Sequence, residues 1–323
     1  MIQKNEEFYL LALQSIDGLG PIKSNLLLSG FTKASEIFQT SPKELRTRWK
    51  GLGEKVIQQI IDMSSFQKAE KELEFCSKNG IDIVSTQSEN YPARLKHLPD
   101  KPLVLFKKGN IFPKIKKTLA IVGTRKSTDY GHRYLERFFD ELKELKDICV
   151  ISGLALGIDQ KAHSLSVKHN IPTLAVMGLG LGTIYPSQNT NLAKEILSKG
   201  GGWMTETSSQ DKTAQGVFPR RNRLIAGLCD ALLVIETDIK GGSVITAQLA
   251  NDYNKDVFAL PGRFSDAQSK GCNNLIQKNI ASLVNLPTDL IETMSWNTSS
   301  NKKTPQSIEI DFEGSAAQKK ILE

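Results

Sequence analysis

ICVISGLALGIDQKAHSLSVKHN, residues 148–170, decides the fold. It opens on a continuous run with strand character, ICVIS (148–152), turns through Gly153 and Gly157, and goes on with the helix-forming KAHSLSVKHN (161–170). A run that is continuous and not alternating suits a strand buried on both faces of a parallel sheet. The same grammar repeats outward in both directions. LVLF (103–106), TLAIV (118–122), TLAVM (173–177), GWMTE (202–206), ALLVIE (231–236) and DVFAL (256–260) read as strands. YLERFFDELKEL, NLAKEILSKG and VITAQLANDYN read as helices between them. Such alternation predicts a doubly wound, Rossmann-like α/β domain with a mostly parallel sheet over 103–290.

Residues 1–80 have a different period. LLALQSI, KSNLLLSG, EKVIQQIIDM and KELEFCSKNG space their apolar residues at helical intervals, predicting a small all-helical domain. Within it IDGLGPIK (16–23) and WKGLGEKV (49–56) each run through Gly-Leu-Gly into a helix. Such turns serve either as tight helix–helix connections or as helix N-termini whose free N–H groups face a phosphate. STQSENYPARLKHLPDKP makes residues 81–102 a polar, proline-punctuated connector. Residues 291–323 read as a polar tail, and its closing SAAQKKILE reads as the start of a helical element.

The 323 residues carry 42 Lys and Arg against 35 Asp and Glu, a net charge of +7 that permits a polyanionic partner without requiring one. Cys76, Cys149, Cys229 and Cys272 form no CxxC pair, which suits a reducing compartment and argues against a structural zinc. MIQKNEEFYLL lacks the features of a signal peptide, and no apolar run reaches membrane-spanning length. A cytoplasmic protein with no membrane partner is expected.

Glycine follows strand after strand: IVGTRKS (121–127), ISGLALGID (151–159), VMGLGLGTIYP (176–186), IETDIKGGS (235–243) and LPGRF (260–264). Ligands of doubly wound sheets bind outside the carboxyl ends of the strands, where glycine lets backbone approach and helix N-termini favour anions. Gly123, Thr124, Arg125, Lys126, Ser152, Gly153, Gly241, Gly242 and Ser243 are therefore candidate contacts, with Ser243 expected to cap the helix that follows. GLGLGT (178–183) does not match GxGxxG, and no Walker sequence is present, so neither NAD nor ATP is expected and no cofactor is predicted.

FPRRNRLIAGL (218–228) concentrates Arg220, Arg221, Asn222 and Arg223 at the start of an apolar helix, the end at which the macrodipole disfavours cations. Phe218 reads either as a base-stacking platform or as core. At least one of the arginines is expected in a buried ion pair with Glu206 or Glu236. Asp159 and His163 share a helix face and read as a structural pair, with Asp159 bracing a loop; His132 and His169 read as surface residues. The run 114–117 reads as a solvated approach to a strand.

GTRKSTDYG, ISGLALGIDQKAH, GLGLGTIYPSQNTNL, FPRRNRLIAGL, GGSVITAQLA and FALPGRF, in this order, resemble the DNA-processing protein A family (DprA, also called Smf) over roughly residues 85–285. The resemblance implies an extended Rossmann-like domain that binds single-stranded DNA without catalysis and without a metal. It further implies protection of incoming strands in natural transformation, loading of the RecA recombinase and a homodimer. By the same resemblance Arg125 contacts phosphate, and Phe218 with the basic residues beside it lines the strand. The helical N-terminus is similar to the SAM-like domain of many relatives, and the last residues to the start of a winged helix. Gln215 stands where many relatives have lysine, and NIASLV (279–284) replaces the usual Gly-Ala.

The enzymatic rival is a nucleoside-monophosphate phosphoribohydrolase on a related fold, whose signature resembles PGGxGTxxE. KGGSVITAQL keeps glycines and a threonine, but Leu249 stands where the catalytic glutamate belongs.

Overall fold

A computed structural model describes residues 4–109, 115–211 and 216–296. Six helices come first: α1 (Glu6–Gln14), α2 (Pro21–Leu28), α3 (Ala34–Ile37), α4 (Pro42–Arg48), α5 (Glu54–Ile61) and α6 (Phe66–Asn79). β1 (Asp82–Ser85), α7 (Ala93–Lys96) and β2 (Val104–Gly109) lead into the alternating part. That part runs β3 (Lys117–Gly123), α8 (Asp129–Leu142), β4 (Ile148–Ser152), α9 (Ile158–Lys168), β5 (Thr173–Val176), α10 (Thr190–Ser198) and β6 (Gly202–Thr205). It continues through α11 (Val217–Leu228), β7 (Ala231–Ile235), α12 (Gly242–Asp252), β8 (Asp256–Ala259), α13 (Lys270–Gln277), β9 (Ser282–Leu283) and α14 (Pro287–Thr293).

The strands form one sheet in the order β1-β2-β6-β5-β4-β3-β7-β8-β9. Pairing is parallel from β6 to β9, while β2 runs antiparallel to both β1 and β6. From β3 the chain steps through β4 and β5 to β6, then crosses back to place β7 on the other side of β3. The β3–β7 junction is thus the topological switch point, and its carboxyl edge is where a doubly wound sheet opens a crevice.

Why the strand runs are continuous is visible in the core. Ala120, Val122, Cys149, Ile151, Leu232 and Val234 pack with α11 and α12 residues on one face. Leu119, Ile121, Ile148, Val150, Leu233 and Ile235 pack with α8 and α9 residues on the other. Successive side chains point to opposite faces, so both parities must be apolar. All four cysteines are buried and unpaired.

The stretch 81–102, read as a connector, is more ordered than its composition suggested. Its β1 pairs with β2, and Arg94 of α7 donates Nε and Nη2 to the Asp230 carboxylate at 2.7 and 2.8 Å. The first part of the expected tail is likewise packed: α14 extends to Thr293 and Trp296 is buried. Residues 297–323, with the expected winged-helix start, lie outside the described residues, as do Lys114 and Gln215.

The helical region docks on the sheet through polar as well as apolar contacts. Gln14 Nε2 donates to the carbonyls of Val104 and Glu206 (2.9 and 3.1 Å), and its Oε1 accepts from the Val104 N–H at 2.8 Å. Glu72, buried on α6, accepts from Ser209 N and from the Ser208 and Ser209 hydroxyls. These bonds use an amide and a carboxylate that would be costly to bury unpartnered.

Candidate functional site

At the switch point lies a cleft of about 330 Å³. Its walls are Gly123–Arg125 at the end of β3, Ala155 and Asp159 after β4, Phe218, Pro219, Arg221 and Asn222 at the start of α11, and Thr237, Asp238 and Gly241–Ser243 after β7. The loops meet there because parallel strands deliver every strand-to-helix turn to one edge.

The β3 loop is held by Glu236, which sits in the left-handed region at φ 52. Its carbonyl accepts from Thr124 N (2.6 Å), one carboxylate oxygen from Thr128 N (2.8 Å), and the other from the Thr128 hydroxyl. A non-glycine residue adopts that backbone only where its surroundings fix it, and here the cost holds the loop that presents Arg125. Gly157, at φ +80, packs against Thr124 O and Arg125, and a side chain there would collide with both. Arg125 and Lys126 are exposed, but of the two only Arg125 lines the cleft.

The arginines of α11 part company. Arg221 is buried beneath the cleft and donates Nη1 to the carbonyls of Gly153 and Val176, both at 2.5 Å. Gly153 is glycine because any Cβ there would strike that guanidinium. Arg221 Nε has no hydrogen-bond partner among the described residues. That nitrogen is covered, so what Arg221 gives the floor of the cleft is its positive charge, which favours an anion above it. Arg223 instead turns into the protein, where it is ion-paired with Glu206 and donates to the Asp100 carbonyl. That is the expected buried pair, made with Glu206 and not with Glu236. Arg223 therefore cannot line a strand. Arg220 is half-exposed and faces Glu206 (3.6 Å) in a second cavity of about 740 Å³ between the helical region and the sheet. That cavity sets Lys68, Lys71 and Arg220 against Asp17, Glu206 and Asp211, so its charges offset one another. A polyanion gains nothing there.

Other expected contacts are also relocated. Ser152 is fully buried and donates its hydroxyl to the Ile121 carbonyl, bracing β4 against β3 and not reaching the cleft. Ser243 does not cap α12. The N-cap is Gly241, which supplies no side-chain bond, and the Ser243 hydroxyl donates to Thr237 Oγ1 at 2.7 Å. Gly241, Gly242 and Ser243 still line the cleft, at a helix N-terminus that no side chain caps. Asn222 lines it as well, with Nδ2 3.4 Å from the Gly242 carbonyl. Asp238 stands at the outer wall and accepts from Ile239 N.

Phe218 is half-buried, packed over Gly178, with the Arg125 guanidinium 6.0 Å from its ring centre. Beside it stands Tyr185, half-exposed, its ring centre 5.3 Å away at 39°. Sequence reasoning missed Tyr185. Its only local signal is the Ile-Tyr-Pro that closes the β5 loop, and its neighbour lies on a distant helix.

Asp159 and His163 are both structural but are not hydrogen-bonded to each other. Asp159 accepts from Gly153 N and Ala155 N (3.1 and 3.4 Å); burial raises its pKa and the Arg221 charge opposes the rise. His163, fully buried, meets Thr173 Oγ1 at 2.7 Å through Nδ1. Since the Thr173 hydroxyl donates to Val150 O, that nitrogen carries the proton. Burial pushes the His163 pKa down from 6.5 to about 3. The unfolded chain then binds a proton below pH 6.5 that the folded one refuses, so stability is full above that pH and falls as pH drops towards about 3. The slope is about 1.4 kcal/mol per pH unit. Between about pH 6.5 and about pH 5, wild type should lose roughly 2 kcal/mol more than His163→Gln in urea melts. Equal losses would show that the imidazole is not held neutral. His132 and His169 are half-buried, and His132 Nε2 lies 2.7 Å from the Ser127 hydroxyl. No group of three or more potential metal ligands occurs among the described residues.

Comparison with known proteins identifies the family and the fold. Protein Smf of Synechocystis is 35% identical over 276 residues, 84% of this chain and 69% of the relative. DNA processing protein DprA of Streptococcus pneumoniae is 36% identical over 205 residues, 62% of this chain and 70% of the relative. The crystal structure of that pneumococcal protein superposes with a TM-score of 0.73 at 29% identity, covering 90% of this chain and 98% of the other. DNA processing protein A of Helicobacter pylori, solved for its single-stranded DNA binding mode, gives 0.59 at 29% identity over 67% of this chain and 95% of the other. The family profile of DNA recombination-mediator protein A matches residues 82–295, and the chain belongs to that family.

Proposed function

We propose that this chain binds single-stranded DNA, without regard to sequence, across the cleft at the β3–β7 switch point. The observation that carries the reading is the charge in one cleft: the buried Arg221 guanidinium lines it together with the exposed Arg125, beside the Phe218 and Tyr185 rings. A single strand offers phosphate and base face together, and this arrangement meets both; duplex DNA hides its base faces. Gly123, Thr124, Gly241, Gly242 and Ser243 provide close-approaching backbone, and Asn222 a neutral donor. Lys126, Gly153, Ser152, Arg220 and Arg223 act outside the cleft or behind it.

The same reading takes the protein as a non-catalytic mediator of DNA processing in transformation and recombination, acting in the cytoplasm as a homodimer and handing strands to RecA. Family membership supports this. The proposed domain division is helices over 1–80 and the DNA-binding α/β domain over 103–290, with β1 before it and the end of α14 after it packed onto the same domain. Nucleotide hydrolysis finds no support in the cleft. Leu249 is half-buried against the core, and both cleft carboxylates accept from backbone N–H groups, Asp159 from Gly153 and Ala155 and Asp238 from Ile239.

Fluorescence anisotropy of labelled oligo-dT at several salt concentrations tests the proposal. Each phosphate neutralised contributes about 0.7 to the slope of log K against log salt. With Arg125 and Arg221 engaged, a slope of at least about 1.4 is expected, and duplex should compete poorly. Flat salt dependence, or equal competition by duplex, refutes it.

A further inference from the structure

The loop after β8 carries a side chain that the fold does not use. Phe264 is 90% exposed, while the loop beneath it is tied down. Tyr130 donates its hydroxyl to Pro261 O (2.7 Å), Gly262 N donates to Asn273 Oδ1 (3.2 Å), and Asn273 Nδ2 donates to Gly262 O (3.0 Å). A large apolar ring held out beside a tied-down loop contributes little packing and is open to a partner, with the backbone next to it already ordered. Arg263 beside it is exposed too.

Because β8 is parallel to β7, this loop lies on the same edge of the sheet as the cleft. Tyr185 and Phe218 stand towards β5, at the opposite end. From β5 to β8 the order is β5-β4-β3-β7-β8, about four strand spacings or roughly 19 Å. Arg125, Arg221 and the uncapped start of α12 lie between, with the half-exposed Ile245 in the wall. At the 3.4 Å per nucleotide of a stacked strand this distance spans at most roughly six nucleotides, and fewer when the strand is stretched.

Resting on the proposed binding of single-stranded DNA, we infer that Phe264 is a second base-stacking station, so that a strand crosses the carboxyl edge of the sheet between the Tyr185–Phe218 pair and Phe264. The phosphate-binding groups lie between the stations. Aromatic stacking tolerates any base, which keeps the longer path free of sequence preference. Affinity should therefore rise with length until both stations are filled.

The test compares oligo-dT of about three and about twelve nucleotides on the full chain. Phe264→Ala should weaken the longer strand about 5- to 20-fold, leave the shorter one unchanged, and leave the salt slope as in wild type. Phe264→Tyr should restore wild-type length dependence. Since the side chain is exposed, melting temperature serves as the control for folding. If Phe264→Ala binds the longer strand like wild type while Arg125→Ala does not, the station is overturned and the cleft stands. If Arg125→Ala also binds like wild type, the reading of the cleft goes with it. A change in sedimentation of Phe264→Ala with binding intact makes the ring a protein contact and equally overturns the inference.

Discussion

Arg125→Ala/Phe218→Ala protein should bind oligo-dT at least roughly hundredfold more weakly than wild type. A charge-assisted hydrogen bond to phosphate is worth about 1.5–3 kcal/mol and a stacked base about 1–3 kcal/mol. Arg125 is exposed at the mouth of the cleft and Phe218 is half-buried beside it, so both remove contacts with a ligand more than they remove packing. The singles should separate by mechanism. Arg125→Ala should lower the salt slope by about 0.7, whereas Phe218→Ala should lower affinity at an unchanged slope. A double variant with wild-type affinity and a native melting curve would remove the cleft from consideration. The helical region would then be the next surface to probe.

Glu206→Ala should cost about 3 kcal/mol of stability, because it leaves the buried Arg223 guanidinium with only the more distant Asp100 carboxylate, 3.9 Å from its Nε. The pair sits in a network in which Arg223 also donates to the Asp100 carbonyl and the Tyr253 hydroxyl donates to Asp100 Oδ2 at 2.7 Å. Burial raises the Glu206 pKa, and the charges of Arg223 and Arg220 work against that rise. Glu206→Gln keeps an acceptor and should lose less. For a domain of this size each kcal/mol is about 2–4 °C, so a fall in melting temperature of about 6 °C or more is the expected reading. Oligo-dT affinity of the folded fraction should stay near wild type, since Glu206 lines the other cavity. A melting temperature within about 2 °C of wild type would mean that the guanidinium is solvated and not buried.

These two variants separate what one short peptide, FPRRNR, compresses. In an α-helix successive residues are turned by about 100°, so Arg220, Arg221 and Arg223 on α11 must diverge. One faces the cavity under the helical region, one the cleft floor, and one the core. The divergence was available in the sequence once the helix was known to begin at Val217. It was hidden because the polar approach to that helix reads as loop.

The strands were legible for a physical reason. A parallel strand buried on both faces has to be apolar at every position, and that run survives without any knowledge of its neighbours. The matching helices and the glycine turns on one edge follow from it. β1 was not legible, because it is a four-residue edge strand paired only with β2, and only half of it is buried. β9 is shorter still and exposed.

By itself, then, the sequence determined a doubly wound sheet, the edge at which a ligand would lie, and the presence there of Arg125, Phe218 and the Gly241–Gly242 turn. Only the tertiary structure decided which groups share a cleft. The crossover from β6 to β7 sets β3 beside β7 and brings residues 123–125 to residues 241–243. The docking of α11 sends Arg221 under Gly153 and Arg223 to Glu206, and lays Phe218 against Tyr185. Local sequence sets the state of a segment through contacts a few residues apart, whereas the direction of a side chain is set by whatever packs against its element from afar.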